Sequence, residues 1–307
     1  MDYCELLLKE YRQKNTKKES TKLIFKDVEP NDVYNITAPF ETREGLVIAG
    51  RVEARDSEDS KVMFFTETKE NTWCLIKEAP VFKLQDPFIT KIKGQLVLGG
   101  VEVFPKKNQP DLLDWRTCFY KGNTLKELEL FFEGPIGMKD IRLKELENGQ
   151  LLLLTRPQGE KGGRGKIGVS ILNTIRDLTI EAVEAAPLIE NQFTEGEWGG
   201  ANEIHQLDEN TVGILGHIAN FDKEGDRHYY SMIFKLNLKT LEASPLKIIA
   251  ERKDFIIGES KRPDLRDVVF SGGMIRRNDQ MSVLYVGTSD AEAQKIIIED
   301  PFLNINR

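Results

Sequence analysis

From Leu23 onward the apolar residues fall in short runs separated by frequent turns. LVIAG from Leu46, VMFFTE from Val62, QLVLGGVEVF from Gln95, QLLLLTRP from Gln150, TVGILGHI from Thr211 and MSVLYVG from Met281 each have strand length, and most are bounded by Gly, Asn or Asp, the residues that supply turns. Asn148-Gly149, lying between two such runs, is a hairpin signal. No series of long helical stripes alternates with the runs, which argues against a doubly wound α/β sheet. The first segment differs. In MDYCELLLKEYRQKN, Leu6, Leu7 and Leu8 with Tyr11 one turn beyond Leu7 predict a short helix, and Lys9, Arg12, Lys14, Lys17, Lys18 and Lys22 make that end basic. Residues 1–22 therefore read as an N-terminal helix or arm and residues 23–307 as one domain.

Within that domain a loose repeat recurs: a polar residue, a short strand, a turn, then a more apolar strand. It runs through YNITAPFETREGLVIAGRVE from Tyr34, QDPFITKIKGQLVLGGVEV from Gln85, KDIRLKELENGQLLLLTRP from Lys139, ANEIHQLDENTVGILGHIA from Ala201 and RDVVFSGGMIRRNDQMSVLYVG from Arg266. The polar markers Asn35, Asp86, Asp140, Glu203 and Asp267 are separated by 51, 54, 63 and 64 residues, and each interval is long enough for a four-stranded meander. The expected fold is all-β, a five-bladed β-propeller with four-stranded antiparallel blades. In such a fold the inner strands converge on a central channel, and the five markers would meet in one polar pocket. The competing reading is that Asp and Asn merely start strands by capping turns.

Composition narrows the function classes. Of 307 residues, 40% are hydrophobic and 30% charged, with a net charge of -7, which fits a folded soluble chain and speaks against a globally basic nucleic-acid or membrane surface. No run approaches a membrane span and the N-terminus lacks the apolar run of a signal peptide. Three cysteines (Cys4, Cys74, Cys118) without a CxxC pair predict neither a disulfide framework nor a cysteine-built zinc site, and the cytoplasm is the expected compartment.

Candidate chemistry follows from the markers and their neighbours. Asp140 and Glu203 are the carboxylate pair best suited to acid–base work; inverting glycosidases hold such a pair about 6.5–9.5 Å apart. Asn35, Asp86 and Asp267 are candidate hydroxyl ligands, with buried backbone-satisfied carboxylates as the alternative. Arg51, Glu53 and Arg55 alternate onto one strand face and could clamp a polyol or an oxyanion, or form a solvated edge. Trp198 in EGEWGGANE could stack on a sugar or pack in the core. His217 is a candidate hydroxyl or phosphate ligand, and with no HExxH motif among three histidines no metal site is expected. TRPQGEKGGRGKIG fails the phosphate-loop pattern, because Glu160 stands where a glycine is needed and Ile167 where Ser or Thr is needed; it reads as a basic loop whose Arg156, Lys161, Arg164 and Lys166 could meet an anion.

RVEARD from Arg51, QDPF from Gln85 and DVVFSGG from Asp267 resemble the five-bladed propeller glycosidases, which include arabinanases, β-xylosidases and fructan-cleaving enzymes, and most closely their mannoside phosphorylase branch. The resemblance spans roughly Asn31 to Phe302 and suggests a small bacterial relative of that branch. It implies a glycoside hydrolase or phosphorylase acting on a small oligosaccharide, with no cofactor and with inorganic phosphate as a candidate co-substrate. In the arabinanase-like pattern Asp140 would tune pKa and Glu203 would be the acid, but Asn35 stands where the base is required, with Asp32 nearby. In the mannoside phosphorylase pattern Asp140 would supply the proton, and Arg51, Arg55 and His217 would be candidate anion contacts. The departure at Asn35 keeps open a second reading, a non-catalytic carbohydrate-binding or regulatory propeller.

Overall fold

A computed structural model describes residues 3–13 and 18–303; Lys14 and Lys17 of the basic N-terminal segment lie outside the described residues. Strands make up 53% of the molecule and helices 11%, so the protein is all-β. The strands follow one another as antiparallel meanders. The first comprises Asp32–Tyr34, Phe40–Thr42, Gly45–Glu53, Lys61–Lys69 and Thr72–Leu75, with Ile24–Lys26 paired in parallel at its edge. Gln85–Ile92, Gln95–Lys106, Gln109–Gly122 and Glu129–Glu133 form the second, and Arg142–Glu145, Leu151–Thr155 and Gly168–Leu172 the third. Trp198–Asp208, Thr211–Phe221, Arg227–Asn237 and Lys247–Ala250 follow. The last meander holds Asp267–Arg276, Met281–Thr288 and Glu292–Glu299, and Glu19–Lys22 from the other end of the chain pairs with its outer strand.

These sheets depart from a uniform set of four strands. A short parallel pairing, His228 with Asp267 and Tyr229 with Val268, fuses the last two meanders into one eight-stranded sheet. The third has three strands, because the chain after Leu172 forms the helix Ile180–Ala185, which Thr179 caps by accepting from the Ala182 N–H. Neither feature is visible in hydrophobic spacing.

The hairpins form where the residues require them. The strand Arg142–Glu145 turns through Asn148-Gly149, with Gly149 at φ 81°, onto Leu151–Thr155. Leu151–Thr155 is buried on both faces. Its period of two splits it between two cores: Leu152 and Leu154 pack with Ile214, Ile218 and Phe234, while Leu151 and Leu153 pack with Phe88, Phe119 and Ile141. Each fully buried leucine contributes roughly 1.5–3 kcal/mol, which is why a strand with no polar face is stable here. The N-terminal helix Tyr3–Gln13 buries Cys4, Leu7 and Leu8 in the first of these cores, and Arg12 pairs with Glu251 at 2.6 Å. Among the described residues no helix is long and apolar enough to cross a membrane.

Candidate active site

Three of the five markers share an unusual backbone. Asn35, Asp86 and Asp140 have φ of 45°, 49° and 59°, in the left-handed region that Asn and Asp tolerate better than other L-residues. Each is at least nine-tenths buried, and all three line a cavity of about 220 Å³. Such conformations cost roughly 1–3 kcal/mol each and persist where surrounding structure fixes them. Gly287 provides part of that structure: a Cβ there would lie 2.0 Å from Asn35 Oδ1. Asn35 Nδ2 donates to Asp86 Oδ1 at 2.8 Å, and Arg51 Nη1 donates to the same oxygen at 3.2 Å.

The other two markers are placed elsewhere. A bulge between Ala201 and Glu203 shifts the register against Thr211–Phe221, and Asn202, rather than Glu203, reaches the cavity-lining His217, its Oδ1 2.9 Å from His217 Nδ1. Glu203 faces a separate, smaller cavity, accepts from the Met274 N–H at 2.7 Å and lies 2.8 Å from His205 Nε2; the spacing had put it beside Asp140, and the bulge is the reason it is not. Asp267 is bonded to His228 at the junction of the two fused meanders, while Val268 and Phe270 of its strand wall the cavity. Of the remaining sequence candidates, Arg51 and His217 line the cavity. Glu53 stands behind Arg51, holding it at 3.1 Å and accepting from Tyr34, Ser60 and Lys261. Arg55 turns away to Asp32 and Glu259. Trp198 is behind the wall, donating from Nε1 to the Tyr229 hydroxyl at 3.0 Å.

Asp140 lies between two guanidiniums, 3.5 Å from Arg156 Nη1 and 3.5 Å from Arg142 Nη2. Burial alone would raise its carboxyl, but Arg156, Arg142, Lys139 and His217 hold it at about 2. Burial pushes His217 down to about 3, with Arg156, Lys139 and Arg142 adding to the effect against Asp140, so its imidazole is neutral. That ring stacks on Tyr229, centroids 5.5 Å apart. Arg156 donates from Nε to the Gly199 carbonyl at 2.7 Å, and Gly165 and Gly200 leave it room: a Cβ would come within 2.6 and 2.9 Å of its side chain. Across the cavity Asp290, itself at φ 50°, is raised to about 6 by burial and by Asp86, against the pull of Arg51 and Lys261.

Five cationic and four carboxylate side chains line the cavity. Arg227 and Arg262 at its mouth are already paired with Asp264, and Glu58 with Lys261 and Arg262. Deeper in, Asn35 Oδ1, Asp140 Oδ1 and Arg156 Nη1 are buried with no hydrogen-bond partner. Buried polar atoms are nearly always satisfied; three unsatisfied atoms on residues lining one cavity mark a site built for a polar ligand. Its lining can take an anion at Arg156 and Lys139, hydroxyls at Asn35, Asp86 and Asp290, and a proton at Asp140. A group with metal-ligand spacing, Glu102, Cys118 and Glu133, lies elsewhere, and Arg116 already bridges Glu102 and Glu133.

Lys139, Tyr229, Asp290 and Asn202 were not singled out by sequence. A signal for one existed: Asp290 stands in GTSDAE, at the end of an apolar strand, where a polar turn is the default reading. The loop bearing Arg164 and Lys166 was read as an anion contact as a whole; Arg156 reaches the cavity, whereas Lys161 is tied to the Glu184 and Ala186 carbonyls and Arg164 stacks on Trp198 and Phe221.

A family model described as a protein of unknown function, DUF1861, matches residues 9–304. Among solved structures, MPT-4, a mannose phosphorylase from Leishmania mexicana in complex with phosphate ion, is 32% identical with a TM-score of 0.90, over 98% of this chain and 94% of that one. MPT-1, a GDP-Man-dependent mannosyltransferase from the same organism, is 28% identical with a TM-score of 0.88, over 98% and 95%. The β-1,2-mannobiose phosphorylase of Listeria innocua, in complex with β-1,2-mannobiose, shares the fold at 14% identity and a TM-score of 0.64, over 91% and 93%. No curated protein matches the sequence.

Proposed function

The chain belongs to the DUF1861 family, and from that premise we propose that it is a glycoside phosphorylase acting on a small mannoside. We read its meanders as five blades of one propeller domain, residues 23–307, with the preceding helix added to its side, and place the reaction in the cytoplasm. The observation that carries the reading is that Asp140 and Arg156, both buried and 3.5 Å apart, line the same cavity, each with an atom that has no hydrogen-bond partner. The phosphate held by the Leishmania mexicana relative supports the choice of co-substrate. Phosphate binds at Arg156 and Lys139, beside neutral His217. Asn35, Asp86, Arg51 and Asp290 hold the sugar hydroxyls.

In the degradative direction a phosphate oxygen bonds to the anomeric carbon. The glycosidic C–O bond breaks with its electron pair on the leaving oxygen, and the proton of Asp140 goes to that oxygen. In the synthetic direction the Asp140 carboxylate takes the proton of an acceptor hydroxyl as phosphate departs. With its carboxyl held at about 2, Asp140 is set for the synthetic role. Phosphate arriving at Arg156 offsets one of the two cations flanking Asp140 and lifts its carboxyl toward the acid form. A hydrolase with an Asp base and a Glu acid fits less well, because Asn35 and the displaced Glu203 leave both positions without a carboxylate.

The test is a panel of β-mannosides, arabinosides and fructosides with and without phosphate, and the reverse reaction from sugar 1-phosphate or GDP-mannose. Phosphate-dependent cleavage of a mannoside is expected. Equal cleavage without phosphate makes it a hydrolase, a reaction limited to GDP-mannose makes it a transferase, and tight sugar binding with no turnover makes it a binding protein; each overturns the proposal.

A further inference from the structure

We infer that Arg142 is a positioning residue for this reaction: from behind the site it fixes the Asp140 carboxylate and serves as its standing counter-ion, which leaves Arg156 free to take phosphate. The inference rests on the function proposed above. Arg142 is 2% exposed and does not border the cavity that holds Asp140 and Arg156; it walls the smaller one, of about 80 Å³, beyond them. Three contacts immobilise it. Nε donates to the Asn202 carbonyl at 2.9 Å, Nη1 donates to the Ile141 carbonyl at 3.1 Å, and the guanidinium lies 4.6 Å from the Phe88 ring centroid. Its third nitrogen is 3.5 Å from Asp140 Oδ1.

The two arginines flanking Asp140 thus differ in what else they can reach. Arg156 lines the cavity, and its Nη1 has no hydrogen bond, only the 3.5 Å ion pair to Asp140, so an entering phosphate competes with Asp140 for it. Arg142 cannot follow the phosphate, because its other nitrogens are bound to backbone from two meanders. A carboxylate 3% exposed whose cavity-lining arginine turned its charge to phosphate would be left undercompensated, which buried charges do not tolerate. With Arg142 in place the charge stays balanced on the side where no reactant enters. The groups facing Asp140 are Arg156, Arg142, its neighbour Lys139, and His217 from Thr211–Phe221; Asp86 is a second carboxylate whose charge acts on Arg142. Arg142 is the one of these cations walled off from the reactant cavity, so its removal changes the carboxylate without removing a reactant contact.

The alternative is that Arg142 only cements Arg142–Glu145 to Trp198–Asp208 through the Asn202 carbonyl. Two substitutions separate the roles. Arg142→Met keeps length and the Phe88 contact but removes the charge; Arg142→Lys keeps the charge. Measured as the pH profile of the synthetic reaction, the acid limb of Arg142→Met is expected to move up by at least one pH unit, about a tenfold loss of rate on that limb; in the phosphorolytic direction its KM for phosphate is expected to rise several-fold because Asp140 recruits Arg156. Arg142→Lys should restore most of the limb. Equal loss at every pH with an unmoved limb, or a lysine variant no better than methionine, overturns the inference. Melting curves are taken first, and Arg142→Gln replaces methionine if that variant does not fold. A carboxyl ¹³C titration of Asp140, assigned by its loss in Asp140→Asn, needs no turnover. An upward shift in the charge-removing variant but not in Arg142→Lys upholds the inference even if phosphorolysis is never found, and an unshifted titration contradicts it whatever the activity.

Discussion

Asp140 and His217, both buried, and Asp290, partly buried, are three titratable groups driven in different directions by one small space. Asp140 is held low by its arginines, His217 is kept neutral by burial, and Asp290 is raised by burial and by Asp86. Replacing Asp140 with Asn is expected to lower turnover by about 10²–10⁴-fold, the usual contribution of a positioned acid–base group, with a cooperative melt above the assay temperature at pH 7 as the control that the variant is folded. The same shifts set the acid stability. His217 binds a proton more readily unfolded, so its contribution to stability falls as pH drops from about 6.5 toward 3; Asp140 adds a further loss as pH drops from about 4 toward 2. Asp290 runs the other way. Its raised carboxyl makes the fold bind the proton more tightly than the unfolded chain does, so stability falls as pH rises from about 4 through 6. Asp290→Asn should therefore be more stable than wild type at pH 8 by about 1 kcal/mol, a value reduced from the full shift because the carboxylate meets cavity water, and equally stable at pH 4. Thermal melts at the two pH values check both sign and window.

Among the elements, the glycines beside the site decide whether its side chains can sit where they do. Gly200→Ala puts a Cβ 2.9 Å from Arg156 Cδ and 3.0 Å from His217 Cε1. Both are parts of side chains, and the expected result is a protein that folds but has a raised KM for phosphate. Gly287→Ala meets Asn35 backbone as well as its side chain, at 2.6 and 2.0 Å, so it should cost stability, about 1–3 kcal/mol, read by urea titration. Elements are also where sequence reading divides into what spacing can and cannot reveal. Asn35, Asp86 and Asp140 stood at equivalent repeat positions, and they share both a backbone conformation and a cavity. Glu203 stood at the fourth such position by count, yet one bulged residue turns it out and brings Asn202 in, since a shift of one residue reverses every side chain of a strand. Counting along a sequence cannot see a bulge. Arg156 and Asp290 reach the cavity from loops, where no periodicity marks which side chain points inward.

At the scale of the whole molecule the all-β class was legible because every apolar run has strand length. The unequal sheets were not, because a parallel pairing of two residues and the helix Ile180–Ala185 depend on tertiary packing. The pairing of Glu19–Lys22 with Glu292–Glu299 ties the two ends of the fold together, and the N-terminal helix covers part of a core. Deleting residues 1–22 should therefore lower the melting temperature by about 10 °C or more, measured by calorimetry; an unchanged value would mean that the closing strand adds nothing. The central claim is that distant segments meet to bring phosphate, sugar and the Asp140 proton into one cavity. It is tested most directly by ³¹P NMR of the protein with β-1,2-mannobiose and inorganic phosphate. Loss of the inorganic phosphate resonance and growth of a sugar 1-phosphate resonance, abolished in Asp140→Asn, is the predicted result. Release of mannose with the phosphate signal unchanged would contradict it.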